Sequence, residues 1–576
     1  MPRFLFPNDR LRGYWPWLPL WWAAALWVVF SHGPIPLHST RTLSVAWEMW
    51  QQHSFLVPIL NGVPYSDKVP LLYWLIHLGW AVGGVGDTWP RLLMVLIGST
   101  QLLLVRQLAL RWFPERPVVA RIAPWILGAF TYGFLYNLQI MYDGLLAVWV
   151  LAALLALSPT ERRESPRFLL VSLFIGLGLL TKGPVMLLHV ALPWLFGVWW
   201  HPWARQHPRR WYGLGAVSLL GGLLILLAWV LPAVYAGGAA YRNALLFHQT
   251  AGRVVDAFAH AHAWWWYLPV LPLLLFPFIL WPRFWVGLTR FSRPLEPGMR
   301  MLLGWLLPVL LAFSVVSGKQ AYYLTPELAG FALLIALTVA RGDERMPGRG
   351  SSAWLGPWPL ALFGLLLGGL LLGLPELAAA GQVSNRWLLG LVPQARPLGM
   401  VLVLLGGYLF WPGWGEAARI AMAGLLGVVA ANAMFTSTLW KNFDLSPVAA
   451  VLRQASLRHQ PIANLGLYEG QFHYLARLNR PIVRLYEGHS LQTWAAAHPR
   501  GLVLTYPLHL SAAARQHAQF IQPFRGVWVV VWKAPLLAAW RAGHSLPASP
   551  PAQIWPPGVL SGKYPQDSAA VQGRQP

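Results

Sequence analysis

Residues 167–200 read RFLLVSLFIGLGLLTKGPVMLLHVALPWLFGVWW: two apolar runs, near 167–181 and 184–200, joined by a short turn whose only charge is Lys182. A helix needs roughly 20 apolar residues to cross about 30 Å of hydrocarbon, and a turn this tight sends the chain straight back. Comparable runs recur along most of the 576 residues. The stretch therefore reads as one hairpin of a polytopic α-helical membrane protein.

Composition agrees. Hydrophobic residues make up 56% of the chain and charged residues 11%, too few charges to coat soluble domains of this total length. Cysteine is absent, which excludes disulfides, thiolate metal sites and thiol catalysis. The net charge of +24 would suggest nucleic acid in a soluble protein, but here the basic residues sit largely in short loops between apolar runs. The 36 tryptophans cluster at the ends of apolar segments, as in Trp264–Trp266, where indoles anchor at the membrane interface.

Thirteen spans are expected, near 14–32, 91–109, 118–138, 141–158, 167–181, 184–200, 212–236, 265–282, 300–317, 322–340, 353–375, 397–412 and 417–437. The first follows Arg3, Arg10 and Arg12 and reads as a retained signal-anchor with a cytoplasmic N-terminus. The short apolar stretch 70–85, which holds His77, is read as an interfacial helix. With that choice the arginine loops 106–121, 162–167, 205–210, 283–300 and 341–349 all fall on the cytoplasmic side, whereas counting 70–85 as a span would invert them.

Beyond this membrane domain (1–437) the pattern changes to short alternating strands and helices: 461–468, 471–478, 482–486, 491–497, 502–506 and 527–532. Residues 438–545 are expected to form a small periplasmic α/β domain, and the Pro-, Ser-, Ala- and Gln-rich stretch 546–576 a disordered tail. The sequence shows no internal repeat, Walker loop, dinucleotide glycine motif or HExxH.

Charges beside hydrocarbon are costly, so those outside the arginine loops carry the functional information. His38, Arg41, Glu48, Asp67 and Lys68 lie in the first outer loop, Asp143 opens the fourth span, and Lys182 sits in the hairpin turn. Arg242, His248, Arg253, Asp256, His260 and His262 precede the eighth span, and Lys319 lies beside Tyr322 between the ninth and tenth. Several cations with a few carboxylates suit an anionic ligand: ammonium and guanidinium groups hold phosphate oxygens, and a carboxylate orients or deprotonates a hydroxyl. A lone Lys or Arg at a span end is more often snorkelling to the interface. Asp143 gains nothing from apolar surroundings and is the strongest single candidate.

Five phrases carry a resemblance: VAWEMWQQHSFLVPILNGVPYSDKVPLLYWL (45–75), MYDGLLAVWV (141–150), GLGLLTKGPVML (176–187), HAHAWWWYLPVL (260–271) and SGKQAYYLTPELAGFALL (317–334). Their order resembles bacterial relatives of the protein O-mannosyltransferases, including the aminoarabinose transferases that modify lipid A. These are membrane glycosyltransferases of the GT-C class. The resemblance implies a polyprenyl-phosphate-linked sugar donor, transfer on the periplasmic face of the inner membrane with inversion at the anomeric carbon, and a lipid, glycan or protein acceptor, with no nucleic acid as partner. It implies that Lys68 contacts the donor phosphate and that Lys182, His260 and Lys319 line the site; Arg41, Arg253 and Tyr322 are further candidates for binding the donor phosphate or substrate. Asp67 stands where the family usually has Glu.

One departure bears on catalysis. Where the family has an acidic pair, this chain has His38 and Ser39, while Thr40, Arg41 and Glu48 still match. The general base for a hydroxyl acceptor is then His38, Asp67 or Asp143, whereas a phosphate acceptor needs none. No organic cofactor is expected, and a divalent metal is left open. The rival readings are a transporter or flippase for a lipid-linked or anionic substrate, and a non-catalytic homologue.

The charge bias predicts sidedness. A reporter fused near residue 113 should be cytoplasmic and one near residue 500 periplasmic, and a periplasmic signal at 113 would invert the assignment.

Overall fold

The computed structural model describes residues 17–160, 164–248, 261–289, 295–344, 353–411, 415–486 and 489–543. The helices of the membrane domain are α1 (Trp17–Phe30), α2 (His38–Gln51), α3 (Leu71–Gly83), α4 (Thr88–Trp112), α5 (Pro117–Ala129), α6 (Thr131–Asn137), α7 (Tyr142–Leu157), α8 (Phe168–Lys182) and α9 (Val185–Leu195). They continue with α10 (Pro208–Asn243), α11 (Pro297–Val315), α12 (Glu327–Glu344), α13 (Trp358–Ala379), α14 (Arg386–Tyr408) and α15 (Glu416–Met434). A two-stranded antiparallel hairpin, β1 (Ile59–Leu60) with β2 (Val63–Pro64), lies between α2 and α3. The chain is an integral membrane protein.

Among the described residues six helices are long and apolar enough to cross a membrane, and a seventh arises if the bent pair α5–α6 is one span. Apolar helices α1, α3, α7, α8 and α9 are shorter, at 10–17 residues. Proline explains much of the shortening, because it removes a backbone donor and clashes with the preceding turn. The expected span 265–282 contains Pro272, Pro277 and Pro282 and is broken into a helix at Tyr267–Leu274, a 3-10 turn at Phe278–Leu280 and a helix at Pro282–Leu288. At the 69° bend between α5 and α6, the freed amide of Thr131 donates to the carbonyl of Phe276 at 3.0 Å. The amide is thus satisfied from a neighbouring segment, as a break inside hydrocarbon requires.

At 13 residues α3 spans only about 20 Å, too little to cross. It buries Leu72, Tyr73, Ile76 and Trp80 against the protein yet leaves Leu78 and Val82 exposed. A helix apolar on both sides suits the interface between protein and lipid. Within the bundle the Trp21 indole lies over Gly98 and Gly128, where a Cβ would come within 2.6 and 2.9 Å of its ring. Several arginines expected in the cytoplasm are paired: Arg116 and Arg341 with Glu296 at 2.7 and 3.0 Å, and Arg283 with Glu416 at 2.9 Å.

The C-terminal domain opens with α16 (Ser446–Leu457) and contains strands β3 (Ile462–Leu465), β4 (Val483–Leu485), β5 (Leu502–Thr505), β6 (Phe520–Phe524) and β7 (Val527–Lys533). The strand order is β4-β3-β5-β7-β6, with β4, β3 and β5 parallel and β7 antiparallel to both neighbours. Strand β6 is not among the expected elements; it contains Pro523, whose missing donor an edge strand tolerates. The predicted helix at 471–478 is a series of turns, with Arg477 in the left-handed region at φ 51°. The proposed tail and the start of the first span lie outside the described residues.

The stretch 468–482 docks on α2 and the β1–β2 turn. Ser44 Oγ accepts from the Tyr474 amide at 2.9 Å, Trp47 Nε1 donates to the Leu478 carbonyl at 2.9 Å, and Asn61 exchanges hydrogen bonds with Ile482 at 2.8 and 3.0 Å. Glu48 closes the turn by accepting from the amides of Asn61 and Gly62, both at 2.7 Å. Burial pushes the Glu48 carboxyl up, against the pull of those two amides. The neighbouring His473 is pushed down by burial to about 4 and is neutral at pH 7.

Candidate functional site

Asp143 stands in the first turn of α7 and Lys182 is the last residue of α8, so each charge meets the end of a helix dipole that favours it. The two side chains form an ion pair, with the carboxylate buried and the lysine 17% exposed. The ammonium also faces aromatic rings, 4.6 Å from the centroid of Tyr323 and 5.4 Å from that of Tyr322, within cation–π range. Tyr322 stacks on Tyr136 at 4.9 Å, and Tyr136 on Tyr132 at 5.6 Å, both nearly parallel. The result is a shelf of tyrosines with one lysine at its edge.

The adjacent residue, Tyr142, carries the second half of the site. Lys68 Nζ lies 5.8 Å above the Tyr142 ring and 3.3 Å from the Asp67 carbonyl, and the Tyr142 hydroxyl bonds that of Tyr73 at 2.6 Å. Arg41, on α2, pairs with Glu469 of the C-terminal domain at 2.9 Å and lies in the electrostatic field of Asp67, Tyr65 and Tyr142. Tyr322 feels both Arg41 and Asp143, which joins the two halves. Lys68, Asp67, Arg41, Lys182 and Tyr322 are all half-buried, reachable by a ligand yet partly shielded from water.

The other expected residues divide. His38 is half-buried at the start of α2, whereas Ser39 is buried and its hydroxyl accepts from the Ile140 amide at 3.1 Å, a structural bond beside α7. Lys319 is fully buried and its ammonium donates to the carbonyls of His262 and Val316 at 2.9 and 2.5 Å. It is thus a strut beneath the Tyr322–Tyr323 turn, with no exposure through which to line a ligand. Arg253 and His260 lie outside the described residues. Glu469 escaped the sequence reading, since nothing in a lone carboxylate 428 positions from Arg41 announces the pair. Among the described residues no three His, Asp or Glu side chains come together as metal ligands.

An apolar cavity of about 930 Å³ adjoins the site. Leucines of α13 and α14 line it, Ser39, Gln139 and Ile140 form part of its wall on the α2–α7 side, and His32, Arg91 and Asn432 add polar groups.

Residues 67–235 match the family model described as dolichyl-phosphate-mannose-protein mannosyltransferase. Two curated proteins called undecaprenyl phosphate-alpha-4-amino-4-deoxy-L-arabinose arabinosyl transferase are similar. That of Edwardsiella ictaluri is 28% identical over 63% of this chain and 65% of its own length. That of Pseudomonas paraeruginosa is 31% identical over 65% of this chain and 66% of its own. The chain is thus similar to these aminoarabinose transferases in sequence. The matched stretch spans slightly under two thirds of those relatives' lengths. The crystal structure of ArnT from Cupriavidus metallidurans bound to undecaprenyl phosphate aligns over 90% of this chain and 98% of that one, with a TM-score of 0.67 at 18% identity, which shows a shared fold. The expected GT-C architecture with a C-terminal α/β domain is thus borne out.

Removing one partner of a buried ion pair strands the other charge, at a cost of about 3–5 kcal/mol, whereas replacing both by apolar groups is often nearly neutral. Asp143→Leu should therefore lower the thermal unfolding midpoint sharply, and Asp143→Leu with Lys182→Met should recover most of it. Equal midpoints for the single variant and the wild type would show that the pair contributes nothing.

Proposed function

We propose that the chain is a glycosyltransferase that moves a sugar from a polyprenyl-phosphate donor to an acceptor on the periplasmic face of the inner membrane. One observation carries the reading: Lys68, Arg41 and Lys182, three half-buried cations, surround the adjacent residues Tyr142 and Asp143 beside a large apolar cavity. A phosphate on a long hydrocarbon tail needs that combination, cations for the head and leucines for the tail. The family-model match over residues 67–235 and the similar arabinosyl transferases support the same class of donor.

In the proposed reaction an acceptor oxygen attacks the anomeric carbon from the side opposite the phosphate. The carbon–oxygen bond to the phosphate breaks, and the departing polyprenyl phosphate keeps the electron pair. Lys68 and Arg41 stabilise the charge that develops on its oxygens, an electrostatic contribution strengthened by partial exclusion of water. The tyrosine shelf offers flat apolar faces on which a sugar ring rests. Asp143, buried and held by Lys182, orients that lysine, so the acceptor proton passes to Asp67 or His38, the half-buried titratable groups nearby. A phosphate acceptor, already ionised, needs neither.

A charge-assisted contact contributes on the order of 1.5–3 kcal/mol, roughly tenfold to a hundredfold in affinity. Lys68→Ala should weaken polyprenyl-phosphate binding by about that factor in detergent at fixed ionic strength, and Lys68→Arg should recover part of it. Equal affinity of wild type and Lys68→Ala would remove Lys68 from the donor site.

A further inference from the structure

We propose that His189 and Glu327 are a positioning pair that holds Lys182 over Tyr322 and Tyr323, and thereby sets the affinity of the site for a phosphate-bearing lipid; the inference rests on the function proposed above. His189 Nδ1 lies 2.8 Å from Glu327 Oε1, and both side chains have no exposure at all. The other polar atom of each, His189 Nε2 and Glu327 Oε2, is buried without a hydrogen-bond partner among the described residues. A pair so enclosed touches no substrate, and one left half-satisfied is a costly way to join two helices. An apolar contact would join them without that cost but also without direction.

The location supplies the reason for direction. His189 follows Lys182 by seven residues, on α9, just beyond the turn at Gly183 and Pro184. Glu327 follows Tyr323 by four residues, at the start of α12. The pair therefore joins from the buried side the same two chain segments that the Lys182–tyrosine contact joins from the site. Both connections are short and internally bonded: Met186 donates to the Gly183 carbonyl at 3.2 Å, and Leu328 to that of Thr325 at 3.3 Å. Phe313 fills the space between, its ring 5.1 Å from His189 and 6.0 Å from Tyr323. A shift of α12 along α9 would break the hydrogen bond and carry the tyrosine rings away from the Lys182 ammonium.

The test replaces both partners, so that no polar group is stranded: His189→Phe with Glu327→Leu keeps a ring against Phe313 and similar volume, and should leave the unfolding midpoint close to wild type. Binding of undecaprenyl phosphate to the purified full chain is then compared among wild type, this double variant, Lys182→Ala and the triple variant. Positioning predicts that the double variant binds about tenfold more weakly and that the triple variant binds no more weakly than Lys182→Ala, because the pair acts through the lysine. Should the double variant not fold, Glu327→Gln, which retains an acceptor for His189, must bind as wild type does while His189→Phe alone binds more weakly. A double variant at wild-type affinity beside a weakened Lys182→Ala would overturn the positioning role and leave the proposed function standing. Wild-type affinity in Lys182→Ala as well would overturn both.

Discussion

A carboxylate and an ammonium cannot both stay charged at the edge of hydrocarbon unless they meet, and the meeting of Asp143 with Lys182 organises the functional face of this protein. The N-terminus of α7 and the C-terminus of α8 stabilise the two charges, so the pair fixes where those helices end relative to one another. The ammonium, anchored on one side, turns its remaining surface to Tyr322 and Tyr323. Tyr322 in turn aligns the stacked rings of Tyr136 and Tyr132. Because Tyr142 precedes Asp143 directly, the same helix start also supports Lys68.

The second constraint comes from outside the membrane domain. Arg41 is held by Glu469, and α2 is clasped by Ser44, Trp47 and Asn61 to the 474–482 stretch of the C-terminal domain. The C-terminal domain is thus part of the site's construction. Its sheet is far less informative about function than the irregular segment it presents, since the turns at 471–478 supply the backbone groups that lock α2 in place.

The sequence was most legible where physics is least ambiguous. Apolar runs, Trp-rich ends and arginine loops identify a membrane bundle, and short β-rich runs identify the C-terminal domain; five ordered phrases carry the resemblance that points to the GT-C fold. Element boundaries were less legible, because hydropathy does not register the proline breaks at 272, 277 and 282 or the 69° bend after Ala129. At the site, Asp143 and Lys182 stood out as charges next to apolar runs, but their pairing did not, and Lys319 shows the limit of that signal. Its ammonium is spent on backbone carbonyls, a use that a sequence cannot distinguish from phosphate binding. Glu469 and the His189–Glu327 pair depend on long-range packing and leave no local pattern.

If the cations and the cavity serve one reaction, the purified chain should transfer a sugar. The full-length protein is incubated with a panel of polyprenyl-phosphate sugars and a lipid extract of the inner membrane, and both lipid pools are followed by mass. For one donor an acceptor lipid should gain the mass of one sugar residue while an equimolar amount of polyprenyl phosphate is released. Donors that bind yet remain intact with every acceptor fraction offered would show that the cations and the cavity do not serve sugar transfer.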